Sequence, residues 1–136
     1  MMPMTDAERA AQGMKIRREV LGDEHVDRAI AGTTEFTAPL QDLITRYAWG
    51  EIWSRPGLSR TERSIITLSV LATLRQDEEL AMHVRAAVRN GLTEAQIQEV
   101  LLQVAVYAGV PAARRAFGIA QSVLAEFDVG PARPAP

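Results

Sequence analysis

The sequence predicts an all-α protein, a compact bundle of six or seven helices joined by short loops. Apolar residues recur at the spacing of a 3.6-residue helix along most of the chain, and no strand-like alternation rivals that pattern. Helix-start signals of the form Ser/Thr-x-x-Glu/Gln occur at Thr5, Ser59 and Thr93. The hydrophobic fraction of 47% in 136 residues is enough for the core of one domain.

Three helices are predicted before residue 50. They follow the capping residues Thr5, Asp23 and Thr37, and glycines at 22 and 32 end the first two. The first, at about 6–21, is dominated by charged residues, so we expect it to be peripheral. Pro39 falls in the first turn of the third helix, where its missing N–H costs nothing.

The third helix runs into YAWGEIWSRPGL, residues 47–58, which holds both tryptophans of the chain. Trp49 and Trp53 are spaced i, i+4, and Gly50 between them permits a close backbone approach. Arg55 lies in the turn that follows. Two interpretations stand side by side. Either the tryptophans are core or subunit-contact residues, or they form an indole wall beside Arg55 in a pocket for a small anion.

The fourth predicted helix, after Ser59, contains the stretch 65–74, which is apolar almost all round. A helix of that kind belongs at the centre of a fold, and about ten apolar-rich residues are too short to span a membrane. Two more helices are expected after Thr93 and from Pro111 to about Phe127. We therefore predict a single domain at 1–127, followed by a disordered tail at 128–136 that is rich in proline and glycine.

The best candidate for chemistry is a helix at 77–91 with His83 at its centre. Glu79 lies one turn before His83 on the same face, and small apolar residues surround the pair. Asn90-Gly91 provides a left-handed helix end. Arg85 is only two residues from His83, so on a straight helix it points elsewhere.

Composition excludes several classes of function. A net charge of −2 and a pI of about 5.7 give no indication of nucleic acid or an anionic membrane as partner. The absence of cysteine removes disulfides, thiolate metal sites and cysteine nucleophiles. The two histidines, His25 and His83, are far apart in sequence and do not favour a metal site; His25 is interpreted as a surface residue. With no signal pattern and no long apolar run, we expect a cytoplasmic protein.

Four long segments resemble a known family: GMKIRREVLGDEHVDRA, YAWGEIWSRPGL, RSIITLSVLATLRQDEELAMHVRAAVRNGLT and EVLLQVAVYAGVPAARRAF. Together they make residues 13–127 similar to the carboxymuconolactone decarboxylase family. Its redox branch, the alkylhydroperoxidase-type (AhpD-like) proteins, carries a glutamate, a CxxC pair and a histidine. Placed by spacing from His83, the cysteines fall on Gln76 and Glu79, and the glutamate falls on Ser64. Without a thiolate the redox chemistry fails, so the resemblance points to the decarboxylase branch.

The resemblance implies an AhpD-like helical subunit that assembles into a ring, commonly a hexamer built as a trimer of dimers. It implies conversion of 4-carboxymuconolactone, a dicarboxylate lactone, to 3-oxoadipate enol-lactone and CO2 in protocatechuate degradation (the β-ketoadipate pathway). No metal or organic cofactor is expected. Two alternatives stay open: a non-catalytic helical oligomer, and a decarboxylase or lactone-processing enzyme for a different carboxylated lactone.

Roles for individual residues follow from that reaction. We expect His83 to deliver a proton to the dienolate, with Glu79 either orienting its ring or repelling the scissile carboxylate. Arg55 and Arg85 are candidates to hold the other carboxylate or the enolate oxygen, and Arg55 is favoured. A water-poor wall is expected from Trp49, Trp53 and Tyr107.

Overall fold

The structure, a computed structural model, describes residues 3–127, and within them the only regular elements are helices. They are α1 (Asp6–Leu21), α2 (Asp23–Ala31), α3 (Ala38–Leu43), a π-helix (Ile44–Ile52), α4 (Arg60–Thr73), α5 (Asp77–Arg89), α6 (Glu94–Ala108) and α7 (Val110–Ala125). The all-α prediction is confirmed. The predicted tail at 128–136 lies outside the described residues.

Backbone packing divides the chain into two compact units, the first ending at Arg63 and the second beginning at Ser64. The boundary falls within the first turn of α4. The single domain at 1–127 stays a prediction.

Three of the predicted helix starts are capping boxes in the structure. The side chains of Thr5, Ser59 and Thr93 each accept a hydrogen bond from the backbone N–H three residues later. The backbone N–H of each capping residue in turn donates to the side-chain oxygen of the Glu or Gln at that later position. Thr37 occupies the N-cap position of α3 as predicted, but its side chain makes no capping hydrogen bond to the helix. Its hydroxyl instead accepts from the N–H of Thr34 at 2.9 Å, which closes the turn before the helix.

In the first unit, α1 packs against the π-helix. The two backbones meet at Gly13 and Gly50, both of which are buried. The expectation that α1 is peripheral is wrong, because one face of it also buries Ile16, Val20 and the charged Arg17. The third predicted helix is likewise not uniform, since its second half takes the wider π geometry from residue 44 onward.

In the second unit, α5, α6 and α7 share one apolar core with the inward face of α4. Its buried members are Leu68, Ala72, Leu80, Val84, Ala87, Leu92, Ile97, Val100, Leu101, Val104, Ala116, Ala120 and Val123. Only one stripe of α4 is covered, so the prediction of a central α4 is wrong for the chain as described. On its other side Ile66, Val70 and Leu74 are 50%, 48% and 61% exposed.

Two helices of the second unit end in the same reversal, one at a glycine and one at an arginine. After α5, Gly91 has φ 98° and the Leu92 N–H donates to the Ala87 carbonyl at 3.0 Å, which confirms the predicted left-handed end. After α4, Arg75 has φ 56° and the Gln76 N–H donates to a carbonyl five residues back at 3.0 Å.

None of the helices at 3–127 is long and apolar enough to cross a membrane. Within the same residues, no group of three or more His, Cys, Asp or Glu side chains is arranged to hold a metal ion.

Candidate active site

His83 lies at the centre of α5 and is 8% exposed. Three acidic residues, Asp77, Glu78 and Glu79, occupy the first turn of this helix, where they complement the positive end of its dipole. On the inner face, Leu80, Val84 and Ala87 anchor the helix in the core. The helix therefore holds His83 in a fixed, nearly buried position.

Glu79, one turn before His83, is exposed. The i, i+4 spacing places the β-carbons of the two residues about 5–6 Å apart. The two side chains differ in exposure, since the imidazole of His83 is nearly buried and the carboxylate of Glu79 is solvated. A buried base with a wet acidic neighbour can take up a proton from water and deliver it to a bound molecule.

Ser64 occupies the position at which the redox branch of the family carries its glutamate. It is buried, with 2% of its surface exposed. Its hydroxyl accepts a hydrogen bond from the Asn90 side-chain amide at 3.1 Å, joining α4 to the end of α5. Asn90 is seven residues after His83, on the same side of the helix. Sequence reasoning assigned Asn90 only to the helix end. The signal that could have identified Asn90 as a site residue is its spacing, because it is a polar residue seven positions after the candidate base His83.

Arg85 lies on the side of α5 that faces α7. Its guanidinium makes a two-point ion pair with Glu126, with donor–acceptor distances of 2.9 and 2.8 Å. This pairing raises the pKa of Arg85 and lowers the pKa of Glu126. The structure therefore does not bring Arg85 to the face that carries Glu79 and His83.

Tyr107 lies near the end of α6 and is 83% exposed. Val106 and Val110 beside it are also exposed. In a single chain this tyrosine belongs to an apolar surface patch at the corner between α6 and α7, and it is not a buried wall.

The two tryptophans lie in the first unit, and their ring centroids are 5.0 Å apart at an interplanar angle of 31°. Trp49 is buried and takes a core position, whereas Trp53 is only half-buried. Arg55 follows in an exposed turn, and its carbonyl accepts a hydrogen bond from the Arg63 guanidinium at 3.1 Å. Trp53 and Arg55 are thus the accessible part of the stretch.

The second unit also carries two open grooves. One, of about 840 Å³, runs between α6 and α7 over Ile97, Leu101 and Phe117. The other, of about 560 Å³, runs between α5 and α7 and is lined by arginines and acids that include Arg85 and Glu126. Neither groove is lined by His83 or Glu79, so these concave surfaces do not form the candidate site.

Comparison with known proteins places the chain in a family. Residues 38–122 match the sequence model of the Carboxymuconolactone decarboxylase family. A 4-carboxymuconolactone decarboxylase from Acinetobacter baylyi is 42% identical over 128 residues, which cover 94% of this chain and 96% of that protein. A nitrosuccinic acid decarboxylase from Metarhizium robertsii is 43% identical over 113 residues, 83% of this chain and 79% of that protein. With a family match across more than half of its length and a relative aligned almost end to end, this chain belongs to the carboxymuconolactone decarboxylase family.

Proposed function

We propose that this protein is a cofactor-independent decarboxylase that converts 4-carboxymuconolactone to 3-oxoadipate enol-lactone and CO2 in protocatechuate degradation. The observation that carries the proposal is the nearly buried His83 with Glu79 one turn away on α5, in a chain 42% identical to a protein named for that activity. A cytoplasmic location and the pathway stay predictions from the sequence.

The chemistry of the substrate explains how the reaction proceeds without an added electron sink. The carboxylate that leaves is attached to the ring carbon γ to the lactone carbonyl. When its C–C bond breaks, the electron pair passes through the ring double bond to the carbonyl oxygen, and a dienolate forms. The protein then has to hold the second carboxylate, stabilise the negative oxygen and protonate the carbon α to the carbonyl.

His83 is the proposed proton donor. An imidazole exchanges protons readily near neutral pH, and its position in α5 is fixed by the packed core beneath it. Its low exposure keeps bulk water from competing for the dienolate. After each turnover the proton is recovered from solvent, which the exposed 8% of His83 permits.

Glu79 is proposed to orient the imidazole ring. The other role considered, repulsion of the scissile carboxylate, requires a charge that is poorly screened, and the side chain of Glu79 is exposed. A solvated carboxylate one helical turn away can still accept a hydrogen bond from the ring and favour one tautomer.

For the second carboxylate, Arg55 is the proposed ligand. It is exposed and lies in a turn after the half-buried Trp53, whose indole offers an apolar contact to the ring of the lactone. Arg85 would first have to leave Glu126, so its role is proposed to be structural. Trp49 supports Trp53 from the core. Tyr107 stays a predicted wall residue, and its exposure requires a second subunit to cover it.

Nitrosuccinic acid is a second candidate substrate, favoured by the 43% identical relative named for it. It is also a dicarboxylate, and one carboxyl group sits on the carbon that bears the nitro group. Loss of that carboxyl as CO2 sends the electron pair onto the nitro oxygens and leaves a nitronate to be protonated at carbon. The same residues would serve, with the electron sink moved from a lactone to a nitro group.

The test is CO2 release from freshly generated 4-carboxymuconolactone and, in parallel, from nitrosuccinic acid. We expect rapid release from the lactone and a loss of about 10²–10⁴ in kcat for His83→Ala. His25→Ala, which changes the other histidine, is the matched control and should keep full activity. Each variant is checked for helicity and assembly size. Release that survives in His83→Ala would move the acid elsewhere, faster release from nitrosuccinic acid would reassign the substrate, and no release from either would leave a helical scaffold.

We also propose that the chain assembles into a ring of identical subunits, as a hexamer. Ile66, Val70 and Leu74 follow one another at i, i+4 and i+8 on α4 and expose an apolar stripe that a lone chain leaves in water. Native mass spectrometry should show the hexamer, and Val70→Glu should lower the subunit count. Lys15→Glu, at an exposed position of α1, is the control. A monomeric intact protein would contradict this proposal and leave the activity to be judged separately.

A further inference from the structure

Arg17 is the one arginine in residues 3–127 that is buried, with 6% of its surface exposed. Nη1 donates to the Thr45 hydroxyl at 3.3 Å and Nη2 donates to the Gln41 side-chain oxygen at 3.0 Å. Its Nε is buried with no acceptor. No carboxylate among the described residues pairs with this guanidinium. Burial lowers the pKa of Arg17, and the neighbouring Arg18 lowers it further.

Such an arrangement is costly to folding. Arginine stays protonated in proteins, so a cation is held here out of water with two neutral acceptors and no counter-ion. An apolar side chain of similar size would commonly be neutral or better for stability at a buried ionic position. Stability therefore does not account for an arginine at position 17. What Arg17 provides and an apolar side chain does not is a pair of directional hydrogen bonds.

Those two hydrogen bonds end on either side of a change in backbone geometry. Gln41 belongs to α3 and Thr45 to the π-helix, and the five-residue hydrogen-bond pattern starts between them, at Ile44. Long π segments are rare because an α-helix is ordinarily the more stable form, and they occur frequently at functional sites. One guanidinium of α1 thus holds both sides of the junction where the helix widens.

The rest of the same α1 face extends this contact. Arg9, Gly13 and Arg17 are spaced i, i+4, i+8, and they meet the segment in antiparallel order. Gly13 lies against Thr45 and Gly50, while the carbonyl of Arg9 lies against Gly50. The two glycines allow the backbones of α1 and the π-helix to approach closely, but they do not fix the orientation of one helix relative to the other. Arg17 fixes that orientation, because its planar guanidinium can donate to the Thr45 hydroxyl and the Gln41 side-chain oxygen in only one arrangement.

The far end of the π-helix carries the residues that we propose to meet the substrate. The Trp53 N–H donates to the Ala48 carbonyl at 2.9 Å, a five-residue bond that closes the last wide turn, and the Arg55 N–H then donates to Ile52 at 3.1 Å. A return to α geometry would rotate Trp53 and Arg55 relative to Trp49. The mutual orientation of the two indole rings, which are 5.0 Å apart at an interplanar angle of 31°, would change with that rotation.

We propose that Arg17 is a positioning residue that fixes the π geometry of Ile44–Ile52 and thereby aims Trp53 and Arg55 at the substrate. It touches no reacting atom. The inference rests on the proposed function for the part that concerns substrate. Its structural part, control of the paired indoles, can be measured without any substrate.

The test compares Arg17→Met, which keeps volume but removes the donors, with Lys15→Met on the exposed side of α1 as control. Near-ultraviolet circular dichroism reports the coupled indoles, since Trp49 and Trp53 are the only tryptophans. We expect Arg17→Met to remain helical, to lose most of this signal and to raise KM for 4-carboxymuconolactone about tenfold with a smaller change in kcat. Arg17→Lys keeps the positive charge but lacks the planar guanidinium, so it should restore little of the indole signal or of the KM of the intact protein.

Other results are equally decisive. An unchanged indole signal with a raised KM would mean that Arg17 binds the substrate carboxylate directly, and the proposal would be wrong. An unchanged signal and unchanged KM would leave Arg17 without a positioning role. If intact protein releases no CO2, the proposed function fails, while loss of the indole signal still supports the control of the π-helix. Should Arg17→Met not fold, Thr45→Val removes one acceptor at nearly constant shape and should shift the same signal in the same direction.

Discussion

Gly13 of α1 lies directly against the carbonyl oxygen of Thr45 in the π-helix. A β-carbon added at Gly13 would be 2.0 Å from that oxygen and 2.9 Å from the Gly50 nitrogen. At Gly50, an added β-carbon would be 2.3 Å from the Arg9 carbonyl oxygen. All of these are backbone atoms, so no side chain can rotate away to make room. The two helices approach as closely as they do because neither has a side chain at the crossing.

Gly13→Ala and Gly50→Ala should therefore both be destabilising, because each forces α1 and the π-helix apart. We expect each to lower the free energy of unfolding by about 1–3 kcal/mol or more, measured by urea denaturation followed by circular dichroism. Gly118→Ala is the matched control within a helix. Nothing lies within 4 Å of its added β-carbon, and it should stabilise the protein by about 0.5–1 kcal/mol. Equal stability of Gly13→Ala and the intact protein would contradict the crossing.

The helix end at Gly91 gives a second prediction. Gly91 has φ 98°, a conformation that costs an ordinary residue about 1–2 kcal/mol, so Gly91→Ala should lower the free energy of unfolding by that amount. There is open space around both Gly91 and Gly57, but only Gly91 has positive φ, and Gly57→Ala should be close to neutral. At the matching end of α4, Arg75→Gly should stabilise by about 0.5–1 kcal/mol. A loss at Gly57 as large as that at Gly91 would show that space, and not φ, is the cause.

Sequence reasoning succeeded where the determinants are local. The three capping boxes and the glycine after α5 depend on residues within one turn of each other, and their patterns are legible in the sequence. The placement of His83 in the middle of α5 follows from the same local signals. Its burial was consistent with the small neighbours read from the sequence.

What the sequence did not reveal depends on partners distant in the chain. The π-helix was missed because its geometry is set by contact with α1, some 30 residues earlier, and Trp-Gly-x-x-Trp reads equally well as α-helix. Arg17 was passed over as one of many surface charges. The exposure of Val70 was missed because an apolar residue on a helix looks the same whether its own chain or another subunit covers it.

A third prediction concerns acid. Asp77 pairs with Arg115 and Glu126 pairs with Arg85, so that two ion pairs join α5 and α7, one at the start of α5 and one at the end of α7. These pairings lower the pKa of Asp77 from its ordinary 3.8 and that of Glu126 from its ordinary 4.5. Because the folded state holds these carboxyls ionised more strongly than the unfolded chain does, their stabilisation is complete above about pH 4.5 and is lost as pH falls through the lowered values.

We expect the free energy of unfolding to fall between pH 5 and pH 3, and to fall less in the variant Asp77→Asn/Glu126→Gln. The difference should shrink at high salt, since the groups are solvent-accessible. Glu35→Gln, at an exposed carboxylate without an ion pair in the described part of the chain, is the control and should follow the intact protein. An identical acid loss in the double variant would show that other carboxyls dominate.

Arginine replacements should separate binding from structure. Arg55→Gln is expected to raise KM for 4-carboxymuconolactone about 10- to 100-fold, the range for losing a charged hydrogen bond worth about 1.5–3 kcal/mol. Arg85→Gln should leave KM close to that of the intact protein and lower stability slightly, because Glu126 already occupies its guanidinium. Measuring KM, kcat and melting temperature for the two variants shows which arginine binds the substrate and which one stabilises the fold. A larger rise in KM for Arg85→Gln would mean that this arginine exchanges Glu126 for the substrate.

The last prediction distinguishes the two roles considered for Glu79. If the negative charge of Glu79 repels the scissile carboxylate and so favours its loss as neutral CO2, Glu79→Gln removes that repulsion, and kcat should fall nearly as far as it does for His83→Ala. If Glu79 orients the imidazole, the glutamine oxygen can still accept the ring hydrogen bond, and only Glu79→Ala loses it. Because Glu79 is exposed, we expect the second pattern, with Glu79→Gln within about tenfold of the intact protein and Glu79→Ala lower. Glu78→Gln, the exposed neighbour on a different side of α5, is the control for the helix dipole and should not change kcat. Equal, large losses in Glu79→Gln and Glu79→Ala would restore the electrostatic role and would require a second subunit to shield this carboxylate from water.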